Sequence, residues 1–326
     1  MDVVCLGEAL IDFVALEAGV TLAQASGFLK SPGGAPANVA AGAAKLGAEA
    51  AFIGKVGDDP FGRFIAATLS EAGVDTGGLI FSADHRTGLA FVSLKKDGER
   101  DFCFFRNPSA DMRLAAEELP RGLIGRAEVF HFGSITLIQE PSRRATLEAV
   151  QVASQNGALI SYDPNIRLAL WPEAEAVAFG VALGLPYADI LKVSEEEVVC
   201  VSTQTSTEEA AINDLYSRYP KLKWVAVTRG PNGASLYDRH GVIHQPGFTA
   251  NSVDTTGAGD AFTAGFIVAL LEYRRSGGDI LSSQLGWLVP VLRFACATGA
   301  ITTTRKGAIP AMPSRGQVEQ LLQSYR

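Results

Sequence analysis

Residues 254–260 read Asp-Thr-Thr-Gly-Ala-Gly-Asp and combine the residue types of an anion-binding turn with an acid. Gly257 and Gly259 can adopt positive φ and let a ligand approach the backbone closely. The apolar run 261–271 predicts a helix, whose first N–H groups are unpaired and whose dipole favours negative charge. Asp260 at that helix start would repel a bound phosphate, so it suggests proton transfer. Favourable capping of the helix by the same acid is an equally good reading of this stretch alone.

Length and composition limit the classes of protein to which the chain can belong. A chain of 326 residues, 47% of them hydrophobic, can form one large α/β domain or two smaller ones. The formal net charge of −7 argues against a nucleic-acid partner, because binding to phosphate backbones needs clustered Lys and Arg. The N-terminus lacks the basic segment of a signal peptide, and no apolar run approaches the ~20 residues of a membrane helix. We therefore expect a soluble, cytoplasmic protein without a membrane partner.

The four cysteines, Cys5, Cys103, Cys200 and Cys296, lie far apart and include no C-x-x-C pattern. Neither a zinc site nor a disulfide framework is indicated. Buried free thiols in a reducing compartment are the simplest account, which agrees with a cytoplasmic location.

Segments with strand and helix patterns alternate along much of the chain, which predicts a mostly parallel sheet with helices on both faces. No internal repeat or linker is visible, and this favours one domain with an inserted lid. The predicted strands are 3–7, 50–56, 129–132, 159–163, 190–193 and 224–228, with a small antiparallel excursion at 234–237 and 242–244. The predicted helices are 39–46, 61–72, 143–155, 173–185, 207–219, 260–273 and roughly 281–300.

Two further strand-like segments, 87–94 and 100–105, flank Asp97-Gly98, which is a strong hairpin signal. The first of them is apolar on both faces. A hairpin of this kind, inserted among helices, would cover either a ligand or a partner subunit, and the pattern leaves both open.

Polar residues follow several predicted strands directly. Because ligands of open α/β sheets bind outside the carboxyl ends of the strands, we expect these residues to meet at one edge. Each alone could be a cap or a solvated surface residue, and their shared position favours a site. They are Asp12, then Asp163 with Asn165 and Arg167, then Ser194 with Glu197, then Thr228 with Arg229 and Gly230.

Two motifs in order carry a resemblance to a known family. Residues 33–40 read Gly-Gly-Ala-Pro-Ala-Asn-Val-Ala, and residues 254–260 follow near the end. Over almost its full length the chain resembles the ribokinase-like (PfkB) sugar kinases. Within that family it is most similar to fructokinases, in segments 106–112, 162–167, 192–197 and 299–310.

The resemblance implies a ribokinase-like three-layer α/β sandwich with a mostly parallel central sheet flanked by helices. It also implies a small β-sheet lid, formed by inserted segments at about 11–31 and 85–107 of one domain spanning 1–326. Family members often dimerise through their lids, and the two-sided apolar hairpin is as compatible with that as with a lid that only covers sugar.

The implied activity is ATP-dependent transfer of the γ-phosphoryl group to the 6-hydroxyl of D-fructose. A 2-keto-3-deoxygluconate kinase or ribokinase-type enzyme would use the same base and anion hole. A non-catalytic scaffold is the other alternative, and such a protein would need neither Asp260 nor an intact Gly-Ala-Gly turn.

The family motifs also assign roles to single residues. Asp260 matches the general base, and Gly257, Ala258 and Gly259 match the anion hole. The positions that match sugar-binding residues are Asp12, Gly33, Gly34, Asn38 and Arg106, together with Asp260 itself. The positions that match nucleotide or phosphate contacts are Asn165, Arg167, Ser194, Thr228 and Gly230, together with Gly257 and Gly259.

Two metal sites are implied in the same way. Glu197 matches the glutamate of an N-x-x-E motif that organises hydrated Mg²⁺, and Ser194 replaces its asparagine, so that Asn165 could take over part of the phosphate contact. A monovalent cation, K⁺, binds beside the anion hole in many members, and Ala311 stands where some relatives have serine. The matching positions, mostly backbone carbonyl donors, are Asp254, Thr256, Thr302, Arg305 and Gly307.

Overall fold

The computed structural model describes residues 1–17, 19–94, 100–202, 207–280 and 285–325. The predicted Asp97-Gly98 turn lies outside the described residues, as do the first four residues of the helical pattern at 281–300. The strands are β1 (Val3–Leu6), β2 (Leu10–Ala15), β3 (Phe28–Gly33), β4 (Ala50–Gly57), β5 (Asp75–Ser82), β6 (Gly88–Leu94), β7 (Arg100–Phe105), β8 (Val129–Gly133), β9 (Leu159–Asp163), β10 (Ile190–Ser194), β11 (Trp224–Thr228), β12 (Ala234–Tyr237) and β13 (Val242–Gln245). The helices are α1 (Ala35–Lys45), α2 (Pro60–Glu71), α3 (Arg121–Ile124), α4 (Ser142–Gln155), α5 (Ala174–Gly184), α6 (Glu197–Val201), α7 (Glu208–Arg218), α8 (Ala258–Arg275), α9 (Leu288–Thr302) and α10 (Arg315–Ser324).

A large sheet in the order β13-β12-β11-β10-β9-β8-β1-β4-β5 forms the centre of the protein. The strands from β11 to β5 are parallel to their neighbours, whereas β12 and β13 pair antiparallel at one edge. The fold prediction of a mostly parallel sheet with a small antiparallel excursion is confirmed. Strand β5 has no counterpart in the sequence interpretation, because its Asp-Thr-Gly-Gly start masks the apolar residues that follow.

Both faces of the large sheet are covered, as the continuous apolar runs of strands such as β1, β8 and β9 require. In β1, Val3 and Cys5 belong to one apolar cluster, and Val4 and Leu6 belong to the other. The first cluster includes residues of α1, α2, α8, α9 and α10, and the second includes residues of α3 to α7. Three layers therefore result, with most of the apolar burial that stabilises the fold placed between sheet and helices.

A second sheet has the order β3-β2-β6-β7. Strand β2 pairs antiparallel with β3 and parallel with β6, and β6 pairs antiparallel with β7. The predicted pairing of segments 87–94 and 100–105 is thus confirmed as β6 and β7. Phe13, Phe28, Phe91 and Phe105 form an aromatic cluster on this sheet, and Phe105 is 60% exposed.

Two smaller expectations need correction or qualification. Cys5 and Cys296 are buried, but Cys103 and Cys200 are exposed, so the account of four buried thiols was wrong for half of them. Segment Leu285–Thr302 has the length and hydropathy of a membrane span, but more than half of it is buried inside the protein. It contains helix α9, which packs against α8 as a core helix.

Asp59 ties the start of α2 to the strand that enters the second sheet. Its Oδ1 accepts N–H bonds from Phe61 at 3.0 Å and Gly62 at 2.9 Å, which caps the helix. Its Oδ2 accepts the backbone N–H of Thr87 at 2.9 Å, and the Thr87 hydroxyl donates to Oδ1. This buried carboxylate therefore holds helix and strand together.

We expect Asp59→Ala to lower the free energy of unfolding by about 1–3 kcal/mol, because it removes a helix cap and leaves buried Thr87 donors unpaired. Urea denaturation would measure the loss. Asp58→Ala is the matched control, since Asp58 makes an exposed pair with Arg63 and such pairs contribute about 0–1 kcal/mol. Equal losses in the two variants would contradict this role of Asp59.

Candidate active site

A cavity of about 1230 Å³ opens at the carboxyl ends of β9, β10 and β11 and is lined by residues of both sheets. Six of the nine predicted strand-end residues line this cavity, whereas Asp163, Arg229 and Gly230 do not. Of the predicted site residues, those that line the cavity are Asp12, Gly34, Asn38, Asn165, Arg167, Ser194, Glu197, Thr228, Asp254, Thr256, Gly257, Gly259, Asp260 and Gly307. Those placed outside its lining are Gly33, Arg106, Gly230, Ala258, Thr302 and Arg305.

Asp260 lies in the first turn of α8 and is 7% exposed. Its Oδ2 accepts a hydrogen bond from Asn38 Nδ2 at 2.8 Å, and Asn165 Nδ2 is 3.5 Å from Oδ1. Burial raises the pKa of Asp260, whereas the Asn38 bond and the charges of Lys192 and Arg167 oppose that rise. The two amides thus orient the carboxylate of Asp260.

Asn38 has one end of its amide bound to Asp260 and the other end available to a ligand. It is 4% exposed on α1, and its Oδ1 has no hydrogen-bond partner among the described residues. Leaving a buried acceptor unpaired costs free energy, so a ligand hydroxyl at this position would be favourable. The amide can thus orient Asp260 with its donor and bind a hydroxyl with its acceptor.

The turn before α8 depends on Gly257, which has φ +77°. A Cβ there would lie 2.6 Å from Cβ of Ala308, so both the backbone conformation and the packing require glycine. At this helix start the first N–H groups of α8 have no earlier helical carbonyl as acceptor, although the Ala258 N–H bonds to the carbonyl oxygen of Thr255 at 3.3 Å. An anion is favoured at this position by those donors and by the helix dipole.

Lys192 is a cavity residue that the sequence interpretation missed. It lies in β10, is 7% exposed and pairs with Asp163 Oδ2 at 3.0 Å. Burial acts to lower the pKa of Lys192, but the carboxylates of Asp163 and Glu197 outweigh it, so its pKa is raised. The sequence did contain a signal for Lys192, because it lies between Leu191 and Val193 in a buried strand. A lysine is rarely buried without a partner, so its position there indicates a paired charge.

Asp163 is the partner that makes this buried lysine tolerable. Burial raises the pKa of Asp163 to about 6, and Lys192 opposes the rise while Glu197 and Asp260 add to it. Its Oδ1 accepts the backbone N–H of Asn165 at 3.1 Å. Asn165 has φ 44°, a left-handed conformation that asparagine tolerates better than most residues.

Ser194 and Glu197 form a reciprocal capping arrangement at the start of α6. The Glu197 N–H donates to Ser194 Oγ at 3.2 Å, and Glu197 Oε2 accepts the Ser194 N–H at 2.9 Å. Glu197 Oε1 also accepts the N–H of Ile166 at 2.6 Å. Serine at 194 therefore fixes the glutamate, a role that its short side chain suits.

At the other end of the cavity, Gly33 packs against Asp12, and a Cβ at Gly33 would lie 2.2 Å from Asp12 Oδ2. Glu8, which the sequence interpretation also missed, is 2% exposed and accepts the N–H of Ala35 at 2.8 Å. Burial raises the pKa of Glu8 to about 7. Buried Arg106 binds Asp111 through Nε at 3.0 Å and through Nη2, and it lies outside the cavity lining.

The predicted cation loop is organised by Asp254. Its Oδ1 accepts the N–H and hydroxyl of Thr256, and its Oδ2 accepts the N–H of Gly307 at 2.9 Å. These bonds bring the segments at 254–256 and 303–307 together beside the turn. No group of three or more His, Cys, Asp or Glu side chains able to hold a metal ion occurs within the described ranges.

With this geometry in place, the chain can be compared with known proteins. The model of the pfkB family of carbohydrate kinases matches residues 1–315, so the chain belongs to the PfkB family of carbohydrate kinases. Fructokinase-1 of Zea mays is 50% identical, over 98% of this chain and 97% of its own. The match confirms the predicted family and the similarity to fructokinases.

Solved structures agree with that assignment. The crystal structure of fructokinase with bound ATP from Xylella fastidiosa is 34% identical, with a TM-score of 0.86 over 99% of this chain and 98% of its own. A fructokinase double mutant from Vibrio cholerae O395, in fructose-, ADP- and potassium-bound form, is 33% identical, with a TM-score of 0.83 over 98% of each chain. These likenesses confirm the ribokinase-like fold.

We expect Gly257→Ala to lower the free energy of unfolding by roughly 2–5 kcal/mol, because it adds overpacking against Ala308 to the cost of a left-handed backbone. Gly277→Ala is the matched control: Gly277 has φ +86° but nothing within 4 Å of an added Cβ. It should lose only the backbone contribution, about 1–2 kcal/mol. Denaturation of both variants measures the difference, and equal losses would refute the packing argument.

Proposed function

We propose that the protein is an ATP-dependent fructokinase that transfers the γ-phosphoryl group of ATP to the 6-hydroxyl of D-fructose, giving fructose 6-phosphate and ADP. The observation that carries the proposal is the position of Asp260. This carboxylate lies where a cavity lined by the matched sugar-binding residues meets the matched nucleotide residues. The fructokinases of similar sequence and fold agree with this choice of substrates.

In the proposed reaction Asp260 accepts the proton of the sugar hydroxyl. The hydroxyl oxygen forms its bond to the γ-phosphorus while the bond from that phosphorus to the β,γ-bridging oxygen breaks, and ADP leaves with the electron pair. The N–H groups of Gly257, Ala258 and Gly259 stabilise charge on the transferring group. Arg167, which is exposed at the cavity lining, is placed to clamp the γ-phosphate.

Sugar binding falls to Asp12, Gly34 and Asn38 in this proposal, with Gly33 supporting Asp12. A carboxylate accepts two hydroxyl bonds, and the free acceptor of Asn38 takes a third. We assign Arg106 to the edge of this region, because it lies outside the cavity lining and binds Asp111.

The second sheet acts as a lid in this proposal, within one domain that spans 1–326. Its residues Val14, Val92 and Phe104 line the cavity, so closure would remove water, which competes as phosphoryl acceptor. The exposed aromatic face around Phe105 also suits a homodimer formed through the lids.

Nucleotide binding is assigned to the strand ends on the other side of Asp260. Asn165, Ser194 and Thr228 line this part of the cavity, and Gly230 follows Thr228 with φ +50° just outside it. We place the protein in the cytoplasm, where ATP and free hexoses are both available.

The residues present fit the two implied cations. Each carboxylate oxygen of Glu197 accepts one N–H, which leaves lone pairs for water around Mg²⁺. Mg²⁺ bound with ATP would offset phosphate charge. A K⁺ site is supported by the Asp254 bonds that join Thr256 to Gly307, with Thr302 at the end of α9 and Arg305 in the segment that follows it. The carbonyl oxygens there suit a hard cation.

We expect Asp260→Asn to lower kcat by about 10²–10⁴-fold with sugar binding largely retained, because the amide keeps the size but not the basicity. Steady-state kinetics and calorimetric titration with fructose measure the two effects. Asp75→Asn, at an exposed carboxylate of β5, is the control and should keep normal turnover. Near-normal turnover of Asp260→Asn would contradict the assignment of the base.

A turnover screen with fructose, ribose and 2-keto-3-deoxygluconate, each with ATP and with or without potassium, tests the substrate. Fructose should give the highest kcat/KM, and potassium should increase it. Preference for either other sugar would replace fructokinase by a ribokinase-type or 2-keto-3-deoxygluconate kinase activity while leaving the kinase chemistry intact. No phosphorylation of any sugar would favour a non-catalytic scaffold.

A further inference from the structure

Lys192 occupies an unusual position for a lysine, in the middle of the parallel sheet and next to the anion-binding turn. A Cβ added at Gly259 would lie 3.1 Å from Lys192 Nζ, so the ammonium group fills the space beside that residue of the turn. The same ammonium group lines the cavity and pairs with Asp163 Oδ2 at 3.0 Å. A fixed positive charge is therefore built into the wall beside Asp260.

We propose that Lys192 is a positioning residue for phosphoryl transfer: its buried ammonium group, held by Asp163 beside the turn, keeps Asp260 ionised and ready to accept the hydroxyl proton. The inference rests on the proposed function, because it assumes that Asp260 is the base. It assigns to the Lys192–Asp163 pair a role in the chemistry as well as in the fold.

Asp163 connects two side chains that both face Asp260. One of its oxygens pairs with Lys192, and the other accepts the N–H of Asn165 at 3.1 Å. Asn165 Nδ2 in turn is 3.5 Å from Asp260 Oδ1. The pair thus helps to hold both a charge and an amide near the proposed base.

The other charges near Asp260 do not replace Lys192. Arg167 acts on Asp260 in the same direction, but it is exposed and its charge is screened by solvent. The Asp260 charge raises the pKa of Asp163, and by the same mutual repulsion an ionised Asp163 opposes ionisation of Asp260. Asn38 contributes a hydrogen bond without a charge. Burial of Lys192 makes its effect larger than that of a surface cation at the same distance.

The decisive measurement is the pH profile of kcat/KM for fructose at saturating ATP, whose acid limb reports ionisation of the base in the enzyme–ATP complex before the sugar binds. Lys192→Met keeps the length of the side chain and removes its charge, so the acid limb should move to higher pH by about 1 unit or more. Below the limb, that shift is about a tenfold loss of kcat/KM. Asp163→Asn keeps an oxygen for Asn165 and removes the opposing charge, so its limb should move to lower pH.

Shifts of the acid limb in opposite directions in the two variants distinguish this role from a purely structural one. If the Lys192–Asp163 pair only held β9 and β10 together, the variants would lose stability but would not move the limb in opposite directions. The double variant should show a limb between those of the single variants. Lys223→Met is the matched control: Lys223 pairs with buried Asp189 at the opposite end of these strands, so the limb should stay in place.

An unmoved or lowered limb in folded Lys192→Met would overturn the proposal. If that variant does not fold, Asp163→Asn decides: a limb moved to lower pH supports the proposal, and an unmoved or raised limb overturns it. Near-normal turnover of Asp260→Asn would refute the assignment of Asp260 as the base. An acid limb that is unchanged in Lys192→Met would refute only this inference.

Discussion

The buried carboxylate of Asp260 is the constraint on which the site depends. In the proposed reaction this residue is the base, and it must stay ionised in a buried place that would also hold phosphate. Burial alone pushes it toward the neutral form. The Asn38 amide and the buried charge of Lys192 oppose that tendency, and neither lies on the same element as Asp260. The site therefore exists only when α1, β10 and α8 are packed together.

The order of the large sheet explains how those elements meet. Strands β9, β10 and β11 are neighbours with a common direction, so the polar residues that end them face one cavity. Helix α1 follows β3 of the second sheet, and its first turn brings Asn38 to Asp260. The fold thus brings Asn38, near the start of the chain, into contact with Asp260, near its end.

The sequence was sufficient for the parallel sheet, the paired strands β6 and β7 and the strand-end residues, because those depend on local periodicity and on one general rule of sheets. Strands β2 and β3 were not predicted from sequence patterns, because polar residues that line the cavity interrupt their apolar residues. The importance of Lys192 was hidden because its partner, Asp163, is distant in sequence. The partner of Arg106 was equally unpredictable from motifs, although Asp111 is five residues away.

In the structure, two glycines of the motifs also leave room for charged side chains of the protein. From sequence, they were interpreted as positions where a ligand approaches the backbone. At Gly33 the space of an absent side chain is taken by the Asp12 carboxylate, and at Gly259 by the Lys192 ammonium group. In both places the glycine admits a charged side chain of the protein itself. A larger residue at either position would therefore push against a charged side chain of the protein, even where a ligand could still fit.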